Sequence, residues 1–228
     1  MITTPAKFPS FAKINWFLRI LGKRPDGYHE VVTVLQTISL RDELTIQLSE
    51  DGPLKLTCDD PTIPTDNSNL IIKAAHLLSE CRQDWFGASI HLSKKIPAQG
   101  GLGGASSNAA VALLAINELW KGNSISVEEL LDPSDLGADV PFFFHGGCCA
   151  ATGTGTDLTP LPDGPKQYLI VVTPNARVST AHAYASLNAA SLTTSNSASI
   201  LSSSLADLNS ADSRQWPLRN DFERVIFE

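Results

Sequence analysis

A glycine-rich segment between two lysines and two serines is the part of the chain best suited to bind an anion. It runs from Lys94 to Asn108 and reads K-K-I-P-A-Q-G-G-L-G-G-A-S-S-N. Four glycines let backbone N–H groups turn toward one point, and the start of the following helix adds partial positive charge. This chemistry suits a phosphate group. The alternative is a tight strand-to-helix turn that needs glycine for its shape alone.

Familiar phosphate-binding patterns do not account for this segment. The dinucleotide pattern G-x-G-x-x-G fails because Ser106 stands where its last glycine belongs. The P-loop pattern and the protein-kinase signatures are absent from the sequence.

Composition excludes several other classes of protein. The 228 residues carry a net charge of −7 and no block of basic residues, which argues against a broad nucleic-acid-binding face. No apolar run reaches the length of a membrane span, and the N-terminus lacks the order of an export signal. We therefore expect a soluble, cytoplasmic protein without a nucleic-acid or membrane partner. Its oligomeric state stays open.

The elements that position the segment begin with a strand. From Ala12 to Leu21 apolar and polar residues alternate, which predicts a strand with one buried face and with Lys13 and Asn15 on the same side. A turn at Arg24–Gly27 leads to a second strand at Val31–Leu40. Further short strands are expected at residues 45–48, 54–58 and 88–92.

Two helices interrupt the strands. The first follows the capping cluster Asn67–Asn69, and the second opens near Ser106 with apolar residues at helical spacing. This irregular alternation favours an α+β fold. The four cysteines form no C-x-x-C pair and are expected to be buried thiols, with neither disulfides nor a zinc site.

The C-terminal part changes in composition. The apolar run Tyr168–Val172 suits a buried strand, and seven of the fourteen residues from Ser191 to Ser204 are serine, which is typical of a flexible connection. We expect one domain over residues 1–165 and the start of a second over 166–228. Because little apolar sequence follows the serines, we expect that the chain stops before this second domain is complete.

The segment P-x-x-x-G-L-G-G-x-S-S-N resembles the phosphate loop of the GHMP family of small-molecule kinases. The segments Phe11–Asn15, Pro25–His29 and Leu136–Phe143 resemble the branch of that family that acts on a cytidine-diphosphate-linked methylerythritol. Arg219–Glu223 resembles its N-D-[LF]-E segment. The matches follow the family's order from Pro5 to Glu223.

This resemblance implies a fold and a reaction. The fold would be the two-domain α+β GHMP architecture, with an N-terminal domain like domain 2 of ribosomal protein S5 and a ferredoxin-like C-terminal domain that is largely missing. The reaction would transfer the γ-phosphate of ATP, with Mg2+, to the 2-hydroxyl of the substrate in the non-mevalonate route to isoprenoid precursors. A homoserine or mevalonate kinase type and a non-catalytic nucleotide-binding remnant are the alternatives. The Pro25–His29 segment argues against the first of these.

The resemblance also implies roles for single residues. Asp139 would be the catalytic base, and a nearby Lys13 would keep it ionised; the alternatives are a turn cap and a solvated lysine. The implied substrate-binding residues are Asn15, Tyr28, His29, Asp139, Thr180 and Tyr184. The implied ATP-binding residues are Asn69, Lys94, Lys95, Pro97, Gly100, Gly101, Leu102, Gly103, Gly104, Ala105, Ser106 and Ser107.

Three of these positions have a second interpretation. Asn69 suits a helix cap, and Tyr184 suits an aromatic that packs on the domain core. Ser107 is the candidate for a magnesium or β-phosphate contact, and the metal ligands are otherwise unknown. The intervening Pro133 predicts that no continuous helix leads from Glu128 to Asp139.

Overall fold

A computed structural model of the chain describes residues 4–84, 87–120, 126–164, 166–173, 183–184, 186–187, 199–203 and 218–223. Strands and helices alternate irregularly in it, which confirms the expected α+β class. The elements are β1 (Ala6–Lys23), β2 (His29–Ser49), β3 (Leu54–Cys58), α1 (Leu70–Arg82), β4 (Gly87–Ser93), α2 (Gly104–Leu119), α3 (Val127–Leu130), a 3-10 helix (Pro133–Leu136), α4 (Phe142–His145), β5 (Cys148–Thr152), β6 (Asp157–Leu161) and β7 (Arg219–Asn220).

The chain divides into two compact units. The first unit comprises Met1–Ala12, Ile38–Ala98 and Leu102–Phe144, and the second comprises Lys13–Thr37, Gln99–Gly101 and His145–Glu228. The domain boundary after residue 165 stays a prediction. Among the described helices, none has the length and apolar character needed to cross a membrane.

The first unit is built on strands covered by two helices. β4 pairs antiparallel with the C-terminal half of β2, from Glu43 to Ser49, and parallel with β3. α1 and α2 supply the other half of the core, and each fully buried Leu or Ile side chain stabilises it by about 1.5–3 kcal/mol. The core includes Leu44, Ile46, Leu48, Leu56, Ile71, Leu78, Ile90, Leu92, Leu113 and Ile116.

The second unit has a small core of its own. β5 pairs antiparallel with the N-terminal half of β2 and with β6, and β7 pairs parallel with β1. Phe17 packs with Val32, Val34 and Ala150 in a buried cluster. Lys13 and Phe17, on the face predicted to be polar, are 7% and 2% exposed, while Ala12 and Leu18, on the opposite face, are 0% and 8% exposed. The expectation that β1 has a single buried face is therefore wrong, because side chains are buried on both of its faces.

The ends of several elements differ from the expected ones for local reasons. β1 and β2 are longer than predicted, and residues 45–48 continue β2 rather than form a separate strand. α1 begins where expected, since the Asn69 side chain accepts the Ile71 N–H at 2.9 Å. α3 ends at Leu130 and Pro133 starts the 3-10 helix, as the proline predicts.

Two expectations about burial are corrected. Tyr168–Val172 is exposed, with Ile170 93% accessible, and none of the described strands pairs with it. A strand needs a hydrogen-bonded neighbour, so an apolar run alone does not make one. The four cysteines are free thiols; Cys149 is buried, but Cys81 is exposed, contrary to the expectation of burial. Thr180 and most of the serine-rich stretch lie outside the described residues.

Candidate active site

The glycine-rich loop leads into α2, whose first turn has no side-chain cap. Gly101 and Gly103 have φ angles of 70° and 68°, in the left-handed region that favours glycine. Gly103 is the N-cap of α2, but it has no side chain with which to cap the N–H groups of the first turn. These N–H groups and the helix dipole suit a bound anion.

The chain just before the loop is held by a buried acid, Asp42, which is 0% exposed. One carboxylate oxygen accepts the backbone N–H groups of Lys95 and Ile96, at 2.7 Å each. The other accepts the Lys94 ammonium group at 2.9 Å. The Lys94 ammonium also donates to the Ile96 carbonyl. The path of the backbone into the loop is thus fixed from inside the protein.

The same acid is tied to the start of α2. The Asn108 side-chain amide donates to Asp42 at 3.1 Å. The Ser10 hydroxyl lies 2.8 Å from the Ser107 hydroxyl and 2.7 Å from the Asn108 side-chain oxygen. Both ends of the glycine-rich loop are therefore anchored to one buried polar cluster, which we call the loop anchor: Ser10, Asp42, Lys94, Ser107 and Asn108.

Sequence reasoning missed Ser10 and Asp42 as members of this cluster. A signal was present for Asp42, because it continues the alternation of the buried residues Leu44, Ile46 and Leu48 along β2. A carboxylate on the buried face of a strand needs internal partners. Those partners lie more than 50 residues away in sequence.

The predicted ATP-binding residues have different surroundings. Lys94 is engaged in the loop anchor and Ser107 is 1% exposed, whereas Lys95 is exposed. Asn69 caps α1, which confirms that interpretation, and its amide also donates to the Pro64 carbonyl at 2.6 Å. The contacts of these residues with adenine, phosphate or magnesium stay predictions.

Asp139 lies in a turn beside the start of α2. The turn is closed by a bond of 2.9 Å from the Val140 N–H to the Gly137 carbonyl. A Cβ atom added to Gly137 would stand 4.0 Å from the Ser106 hydroxyl. The structure therefore brings the turn of the predicted base next to the serine that follows the glycine-rich loop.

Lys13 heads a chain of polar contacts in the second unit. Its ammonium group donates to the Asn15 side-chain oxygen at 2.9 Å, and the Asn15 amide donates to the Thr33 hydroxyl at 2.7 Å. The Thr33 hydroxyl donates in turn to the Phe17 carbonyl at 2.7 Å. Lys13 and Asn15 lie on the same side of β1, as predicted. The pairing of Lys13 with Asp139 stays a prediction.

Tyr28 and His29, two of the predicted base-binding aromatics, directly follow the turn at Arg24–Gly27. The Arg24 guanidinium forms ion pairs with the carboxylates of Glu30 and Asp26, at 2.9 and 3.1 Å, and so stabilises this turn. Tyr28 is 67% exposed there, which leaves its ring available to a ligand.

His29 and Tyr184, far apart in sequence, are stacked with their ring centroids 4.8 Å apart and an interplanar angle of 23°. Burial, and then the charge of Lys23, lower the pKa of His29, so its ring is neutral at pH 7. A neutral imidazole both donates and accepts, as the edge of a nucleobase requires.

Known proteins resemble the chain in sequence. Residues 69–147 match the family described as GHMP kinases N terminal domain. A protein of Mannheimia succiniciproducens named 4-diphosphocytidyl-2-C-methyl-D-erythritol kinase is 44% identical over 178 residues, which are 78% of this chain and 58% of that protein. A protein of Solibacter usitatus with the same name is 40% identical over 230 residues, which are 99% of this chain and 72% of that protein.

The fold agrees with these matches. A crystal structure of 4-(cytidine 5'-diphospho)-2C-methyl-D-erythritol kinase is 31% identical, with a TM-score of 0.73, and the match covers 97% of this chain and 77% of that one. The chain thus spans 58–77% of the length of these three proteins. Identity of 40% over most of both sequences establishes that the chain belongs to the 4-diphosphocytidyl-2-C-methyl-D-erythritol kinase family of GHMP kinases.

Proposed function

We propose that this chain carries out the family's reaction, the transfer of the γ-phosphoryl group of ATP to the 2-hydroxyl of 4-diphosphocytidyl-2-C-methyl-D-erythritol. The observation that carries the proposal is the uncapped glycine-rich start of α2, with the turn of Asp139 beside it. The N–H groups at the start of α2 are suited to binding phosphate, and the Asp139 carboxylate is suited to accepting the proton of a hydroxyl group. Phosphoryl transfer requires both within one site.

In the proposed reaction the substrate oxygen forms a bond to the γ-phosphorus, and the bond from that phosphorus to the ADP oxygen breaks. The hydroxyl proton passes to the Asp139 carboxylate. Backbone N–H groups of the loop hold the phosphate oxygens, and the loop anchor keeps them in place without reorganisation. Lys13 contributes positive charge to the reacting groups.

The proposal places the cytosine base with Tyr28, His29 and Tyr184. Aromatic rings offer stacking surface, and the neutral His29 ring offers hydrogen bonds to the base edge. Such contacts distinguish this substrate from homoserine or mevalonate, which have no base.

Magnesium is proposed to enter with ATP and to neutralise phosphate charge. Within the described ranges no group of three acidic, histidine or cysteine side chains is arranged to hold a metal ion. Mg2+ is commonly held by substrate phosphates and one or two protein groups, so the proposed site would need no such cluster. A cytoplasmic location completes the proposal, since the chain would draw on the ATP supply of the cell.

Coupled ADP release in the presence of ATP and magnesium tests the proposal. We expect turnover with 4-diphosphocytidyl-2-C-methyl-D-erythritol and none with homoserine or mevalonate. Asp139→Asn should reduce kcat by about 100- to 10,000-fold with nearly unchanged ATP binding, because only the proton acceptor is lost. The matched control is Asp135→Asn, an exposed acid of the neighbouring 3-10 helix.

Tyr28→Ala should raise the KM of the cytidine substrate by about tenfold and leave the KM of ATP unchanged. The proposal would be contradicted if another hydroxyl compound were turned over in preference to 4-diphosphocytidyl-2-C-methyl-D-erythritol, or if Asp139→Asn kept full activity.

A further inference from the structure

The short segment from Arg219 to Phe222 is attached along β1. Its strand β7 pairs in parallel with β1, with Arg219 and Asn220 opposite Phe17 and Leu18. The Asp221 N–H then donates to the Leu18 carbonyl at 3.0 Å. Three successive residues are thus held by the edge of one strand.

The Asp221 side chain extends this attachment. Its carboxylate accepts the Ile20 backbone N–H at 2.9 Å and the Arg219 guanidinium at 2.8 Å, and Asp221 is 8% exposed. The Asn220 side-chain oxygen accepts the Phe222 N–H at 3.0 Å. These bonds leave the backbone at Phe222 little freedom, because the side chains of the two preceding residues are both engaged.

Phe222 is the end of a row of three rings. Its ring meets Tyr184 edge-on, with centroids 4.9 Å apart and an interplanar angle of 83°. Tyr184 stacks in turn on His29. Edge-to-face and offset-stacked pairs at these distances are favourable beyond the area that they bury. The ring of Tyr184 is therefore held from two sides.

We propose that Asp221 and Phe222 are positioning residues for the cytosine subsite, with Asp221 fixing Phe222 on β1 and Phe222 holding Tyr184 against His29. This inference rests on the proposed function. It assigns a task to the N-D-F-E segment that the phosphoryl-transfer chemistry leaves unexplained. Neither residue touches the reacting groups, and their effect on the substrate passes through Tyr184.

Binding of cytidine 5'-diphosphate and of ATP, measured by titration calorimetry, tests the proposal. Phe222→Ala should lower the affinity for cytidine 5'-diphosphate by about two- to tenfold, which corresponds to the loss of one edge-to-face contact. The affinity for ATP should stay unchanged. Asp221→Ala should act in the same direction. Phe222→Tyr keeps the ring and should bind like the parent. Leu218→Ala, at an exposed neighbour in the same segment, is the matched control.

A readout without ligand separates this inference from the proposed function. Loss of the Tyr184 stack exposes His29, so nuclear magnetic resonance titration of Phe222→Ala should show a rise of the His29 pKa toward its ordinary value. An unchanged His29 titration, or equal losses of cytidine 5'-diphosphate and ATP affinity, would overturn the positioning role. If the parent binds no cytidine 5'-diphosphate, the proposed function fails, and the His29 titration still decides whether Phe222 holds the stack.

Discussion

Replacement of Asp42 by Asn tests the loop anchor most severely. The change keeps the size of the side chain and removes its charge. The side chains of Asp42 and Lys94 are 0% and 8% exposed, so the ammonium of Lys94 would lose its buried counter-charge. Removing one partner of a buried ion pair costs about 3–5 kcal/mol. The new amide group would also face the Asn108 amide, donor against donor. We expect the free energy of unfolding to fall by about 3–5 kcal/mol.

Urea unfolding followed by circular dichroism measures this loss as a shift of the midpoint at constant slope. Lys94→Met should cost less, since Asp42 would keep two backbone N–H donors and the Asn108 amide. Lys95→Met, at the exposed neighbour, should stay within about 0.5 kcal/mol of the parent. A loss below about 1 kcal/mol in Asp42→Asn would refute the argument that the loop depends on this buried charge.

Three further outcomes are expected. Gly103→Val places a β-branched residue at a φ of 68° and should abolish ATP binding in calorimetry, whereas Gly164→Val, in open space, should not. Since the folded protein holds the His29 pKa below 6.5, the unfolded chain binds more protons as the pH falls through that value. The free energy of unfolding should therefore be lower at about pH 5.5 than at about pH 7.5, and the contribution of His29 to this slope is at most about 1.4 kcal/mol per pH unit. His29→Gln should lack this contribution. Burial, with Cys149 and Asp163 nearby, raises the pKa of Cys148 to about 11, so iodoacetamide near neutral pH should label the exposed Cys81 and leave Cys148 unmodified, as mass spectrometry of digests would show.

Local signals predicted much of the fold. Alternation predicted β1, and a segment rich in Val, Ile, Leu and Thr predicted β2. The Asn69 cap and the helical spacing after Ser106 located α1 and α2. These signals succeed because each reports a property of neighbouring residues. They fail where burial is decided by distant ones. Phe17 is buried by Val32, Val34 and Ala150, and no pattern within β1 indicates a second covered face.

The candidate site divides in the same way. The glycine loop and Asp139 could be recognised from motifs, whereas the loop anchor joins Ser10, Asp42 and Asn108 across the chain. The opposite error occurred at Tyr168–Val172, where an apolar composition predicted burial and no described strand pairs with the segment. Composition indicates what a segment could bury, and pairing decides whether it does.

The most direct test of the central claim is the mass of the cytidine compound after incubation. The chain, ATP and magnesium are incubated with 4-diphosphocytidyl-2-C-methyl-D-erythritol, and the products are analysed by mass spectrometry. We predict that the compound gains one phosphoryl group and that Asp139→Asn does not produce this gain. An unmodified compound, in the presence of a folded chain that binds ATP, would contradict the proposed function.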